Sequence, residues 1–132
     1  MGIFLITEGN NDHSEYDISG EKELRDLLYS LIKQEPRVVL LEIPGICIFT
    51  LGVGLPHGFI QFSKTGEPPY LVASTNRIAE GTDTDDEVEF DAGGTPTSIP
   101  KRLCLPYDQI VDVIIYLFKS HELPRFVKWE EV

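Results

Sequence analysis

Between Tyr107 and Ser120 the chain is apolar on nearly every side of a helix, and this stretch limits the folds open to it. Tyr107, Ile110, Val111, Ile114, Leu117 and Phe118 follow the 3.6-residue period, and Val113, Ile115 and Tyr116 are apolar off that stripe. A helix with so little polar surface has to be covered on more than one side. The chain has 132 residues, enough for one domain with one core. The cover must then come from a sheet, from another helix, or from a second copy of the chain. For that last case, helix 106–120 is the candidate homodimer contact.

The rest of the sequence supplies such partners. Leu24, Leu27, Leu28, Leu31 and Ile32 recur at helical spacing, which predicts a first helix near 20–34. Ser19 reads as its cap and Pro36 as its stop. Pro106 reads as the first residue of the second helix, near 106–120. Gly2 to Thr7 reads as a first strand, and Glu8 to Ser14 as a polar turn. β-rich runs follow at Arg37 to Ile43, Ile46 to Leu55, Phe59 to Ser63 and Tyr70 to Ala73. Thr65-Gly66 suggests that 59–63 and 69–75 form a hairpin. Gly52 and Gly54 suggest a bulge or a close approach. Val88 to Phe90 and Ile99 to Leu105 flank Gly93-Gly94, and Phe126 to Val132 reads as the last strand. The order predicts a single α+β domain over residues 1–132, with a largely antiparallel sheet of five or more strands and two main helices. Leu24, Leu28, Leu31, Val39, Leu41, Ile48, Phe62, Leu103, Ile110, Ile114, Leu117 and Phe118 are the expected core.

Charge excludes several function classes. Asp and Glu number 22 against 11 Lys plus Arg, for a net −11. A field of that sign repels nucleic acid and anionic lipid and attracts basic partners. The excess is local, because Glu80, Asp83, Asp85, Asp86, Glu87, Glu89 and Asp91 fall in one window without a Lys or Arg. Such a run is either a solvated loop or a negative face for a positively charged groove. The start lacks a basic leader and reads as a strand, and no apolar run reaches the ~18 residues that span a bilayer. A cytoplasmic protein is the expectation.

Sites for chemistry are scarce. Asp83, Asp85 and Glu87 have the first spacings of a calcium loop, but Val88 stands where Gly is needed and Gly94 where a bidentate Glu is needed. Gly52-Val-Gly54 lacks the third Gly of a dinucleotide loop, since His57 occupies that place and a strand follows. His13, His57 and His121 show no zinc spacing. Cys47 lies in an apolar run with no basic neighbour to favour a thiolate, so a Cys47–His57 pair is the weaker reading and a buried thiol the stronger. The sequence leaves open whether Cys47 and Cys104 are joined. No cofactor, metal or catalytic group is expected. Trp129, the one Trp, shares a strand face with Val127 and Glu131, and is either a core residue or an aromatic anchor. An acid on that face calls for a hydrogen-bond partner or an edge position.

The last third carries a resemblance. Gly93-Gly94, a strand at Ile99 to Leu105, the helix Tyr107 to Ser120, Pro124 and the terminal Trp129-Glu130-Glu131-Val132 occur in that order. This block, Glu89 to Val132, is similar to the C-terminal half of an immunity-protein family of bacterial polymorphic toxin systems, one typically paired with toxins of the nucleic-acid deaminase fold. Glu130 departs from the small residue common at its place. The resemblance implies a bacterial toxin inhibitor without catalysis, whose partner is a cognate toxin and neither nucleic acid nor membrane. It adds Gly93, Gly94, Trp129 and Glu131 as structural or binding residues beside the acidic candidates Asp83, Asp85, Asp86, Glu87 and Glu89. The other readings from the residues are a small adaptor or dimeric structural protein, and a small enzyme with an unrecognised site.

Overall fold

The computed structural model describes residues 2–8, 12–33, 37–53, 57–74, 87–92, 95–100 and 103–131. The elements run β1 (Gly2–Glu8), β2 (Asp12–Ile18), α1 (Glu21–Ile32), β3 (Arg37–Ile43), β4 (Cys47–Val53), β5 (His57–Gly58), β6 (Ile60–Ser63), β7 (Leu71–Ser74), β8 (Glu87–Ala92), β9 (Thr95–Pro100), β10 (Leu105–Pro106), α2 (Tyr107–Ser120) and β11 (Lys128–Glu131). Seven strands form one sheet in the order β11-β7-β6-β4-β3-β1-β2, with every neighbouring pair antiparallel. The fold is α+β, as the element order predicts. The hairpin of β6 and β7 is present. A tight turn joins β3 to β4 at Pro44-Gly45, where Ile46 N–H donates to the Ile43 carbonyl at 2.9 Å and Gly45 takes φ 78. That φ favours a residue without a Cβ.

Register separates the two faces of the sheet. Ile6 lies opposite Leu41, Leu41 opposite Phe49, and Val39 opposite Leu51, itself opposite Ile60. These residues are buried beneath the helices. Phe4 meets Phe118 of α2 with ring centroids 4.8 Å apart. Leu24, Leu28 and Leu31 of α1 join them, and seven residues of α2 are buried. The apolar circumference of α2 is thus explained, since it packs against both α1 and the sheet.

The opposite face is covered only in part. β3 is paired on both sides, by β1 and β4, so β8 packs against it from a face and not from an edge. Phe90 of β8 and Phe59 meet at 5.2 Å, edge to face, over Gly52. A Cβ on Gly52 would collide with the Phe59 ring and lie 2.9 Å from Phe90. The expected close approach at Gly52 is therefore real; Gly54 lies outside the described residues.

Five expectations need correction. Residues 12–14 are not part of a turn but begin β2, an edge strand whose exposed Ser14, Glu15, Tyr16 and Asp17 hide the usual apolar alternation. Ser19 does not cap α1. Gly20 stands at the cap, and Ser19 instead donates its hydroxyl (2.6 Å) and N–H (3.1 Å) to Glu23. The strand placed at Ile99 to Leu105 is β9, Thr95–Pro100, which among the described residues pairs only with β8 and so tolerates Pro96 and Pro100. Pro106 ends β10 and precedes α2. Ile48 and Phe62 are half-buried: Ile48 points to the face away from the helices, and Phe62 lies near the β11 edge.

Candidate functional site

The predicted site residues that the structure describes lie on two separate elements. Asp83, Asp85, Asp86, Gly93 and Gly94 lie outside the described residues. Glu87 and Glu89 are exposed on β8, which packs on the face away from the helices. Trp129 and Glu131 lie on β11, at the far edge of the sheet, with β7, β6 and β4 between them and β3. Trp129 lies opposite Ala73 of the core, and its ring meets Phe62 at 6.2 Å. Its indole N–H donates to the Pro124 carbonyl at 3.1 Å. The half-buried indole is thus spent on packing and on fixing the loop before β11. Glu131 is exposed, so its place beside Trp129 is explained by the sheet edge.

Reactive groups are equally dispersed. Cys47 and Cys104 are both free thiols. Burial pushes the Cys47 thiol up to about 12, which leaves it without a useful thiolate fraction near neutral pH. Among the described residues no group of three or more His, Cys, Asp or Glu side chains is placed to hold a metal. No helix among them is long and apolar enough to cross a membrane.

Among the described residues, exposed apolar side chains gather in two places besides Tyr16 on β2. Beside the helices, Tyr116 (41% exposed) and Phe126 (51% exposed) meet edge to face at 6.0 Å. They border an open hollow of about 530 Å³ whose rim holds Glu21, Asp112 and Lys119. These charges are largely consumed, since Lys119 pairs with Glu21 at 3.1 Å and Asp112 with Arg25 at 3.3 Å. On the opposite side of the sheet, Ile3 (44% exposed) and Leu40 (42% exposed) are open to solvent. The register sets Leu5 between Glu15 and Glu42, and Ile3 opposite Asp17. None of these three acids is ion-paired to a described residue. Sequence reading missed this surface because Ile3, Leu5 and Leu40 look like ordinary core positions. Only the pairing of β1 with β2 and β3 assigns them to the uncovered side.

Among the described residues, two helices thus cover one face of the sheet and apolar side chains stay open on two sides. The model of the family Immunity protein Imm1 matches residues 12–131, and the chain belongs to that family. Membership places it among proteins that neutralise a toxin. None of the curated proteins matches the chain.

Proposed function

We propose that this chain binds a cognate nucleic-acid deaminase toxin in the cytoplasm of the cell that makes both, and blocks the toxin's substrate cleft without catalysis or cofactor. The observation that carries this reading is the net −11 charge, with seven acids between Glu80 and Asp91, on a member of an immunity family. An enzyme that holds a polyanion needs a cationic cleft, and an acidic protein can occupy it. The resemblance of the Glu89–Val132 block supplies the deaminase class. Residues 1–132 act as one domain in this reading, and the acidic segment Asp83, Asp85, Asp86, Glu87 and Glu89 steers the encounter.

Co-expression with a deaminase-fold toxin whose gene adjoins the gene for this chain tests it. The two should purify as a stable complex, and the complexed toxin should no longer deaminate a single-stranded oligonucleotide. Separate elution, or full deaminase activity in the complex, would refute it. A second reading, a homodimer through helix 106–120, draws on exposed Tyr116 and Phe126 beside α2. Sedimentation of the free chain as a monomer would remove it.

A further inference from the structure

We propose that the open end of the sheet face opposite the helices, where Ile3, Leu5 and Leu40 lie beside Glu15, Asp17 and Glu42, docks a cationic protein surface. The inference rests on the toxin-neutralising reading and gives it a contact face. Leu40 belongs to β3, an inner strand with neighbours on both sides, yet it is 42% exposed. Inner positions of a sheet this wide are normally covered by another layer. Here the molecule covers part of the same face itself. Gly52 lies under Phe59 and Phe90, and Val72, opposite Gln61, is 5% exposed. The cover stops before Leu40 and Ile3, the exposed large apolar side chains of this face.

The sign of the partner follows from the rim. Outer-face positions of β1, β2 and β3 carry no Lys or Arg, while Glu15, Asp17 and Glu42 stand there without an ion pair to any described residue. Three carboxylates on a stiff sheet repel a nucleic acid or an anionic bilayer. A partner that brings Lys or Arg around an apolar centre satisfies both requirements. Burying Leu40 would then exclude water from the charge pairs around it, the arrangement found at binding hot spots. The hollow beside Tyr116 is the weaker candidate, because its charges already pair among themselves. The packing of β8 on β3 also sets exposed Glu87 and Glu89 on the hairpin that covers the other end of this face.

The test measures binding to a catalytically inactivated form of a deaminase-fold toxin whose gene adjoins the gene for this chain. Leu40→Arg should weaken binding by at least about 30-fold, as for a central interface residue. Glu15→Lys with Glu42→Lys should slow association about tenfold at low salt. Tyr116→Ala should change neither. Circular dichroism checks each fold; if Leu40→Arg does not fold, Leu40→Ser and the charge pair decide. Folded patch variants that bind like wild type overturn the inference while the toxin-neutralising reading stands. So does a wild-type dimer that Leu40→Arg converts to monomer, since the face would then be closed by a second copy. A wild-type chain that fails to bind the toxin removes the reading and the inference together.

Discussion

A single missing methyl shapes one side of the molecule. At position 52 only hydrogen fits between the strand and the Phe59–Phe90 pair, because any Cβ would overlap the Phe59 ring. Neither phenylalanine can give way easily, as both are buried. Gly52→Ala should therefore destabilise the fold by about 1–3 kcal/mol, the usual penalty for overfilling a packed site. A urea titration checks this, and a loss below about 0.5 kcal/mol would mean that the hairpin can lift off the sheet. Trp129 teaches the opposite lesson. Its side chain reads in the sequence as either a core residue or an anchor, and its ring packs toward Phe62 while its N–H donates to Pro124.

At the scale of elements, the two helices are joined by a ladder of polar contacts on their solvent side. Glu21, Arg25 and Tyr29 of α1 recur every four residues and reach Lys119, Asp112 and Asp108 of α2. The hydrogen bond and charge of Lys119, with Arg25 adding to them, hold the Glu21 carboxyl below the ordinary carboxylate range. The Ser19 hydroxyl and N–H do the same for Glu23. The folded chain holds these protons more weakly than the unfolded chain. The stability they contribute is therefore full above the unfolded glutamate value, about 4.3, and is lost as pH falls below it. Thermal midpoints taken from pH 7 to pH 3 should fall less steeply for Glu21→Gln with Glu23→Gln than for wild type. Parallel curves would show that these two carboxylates are not linked to folding. Both helices were legible in the sequence because an amphipathic stripe is a local signal. β2 was not, because an edge strand with one neighbour and a wet surface shows no alternation. β9 was placed too late because Thr95 to Ser98 show no apolar run, whereas Ile99 to Leu105 do; with β8 as its partner among the described residues, the strand tolerates both prolines.

For the molecule as a whole, charge governs encounter more than fold. Changing Asp83, Asp85, Asp86 and Glu87 to Ser should slow toxin association several-fold at low salt and flatten its salt dependence, because screened charges act mainly on the encounter rate. Melting of the free chain should stay nearly unchanged. Unaltered association kinetics would reduce the acidic segment to a solubility feature. The acidic excess was plain from composition, but the uncovered sheet face was not. Which side a strand residue faces depends on pairings between segments far apart in the chain, and Leu40 meets Thr7 only through the join of β3 to β1. One more consequence follows from the strand order. The sheet ends on one side in β2, with Glu15 and Asp17, and on the other in β11, with Lys128, Glu130 and Glu131. Strand edges are templates for fibre growth unless charge spoils the match between copies. Both margins of this sheet carry charges of that kind, so edge-to-edge pairing between copies sets like charges against each other.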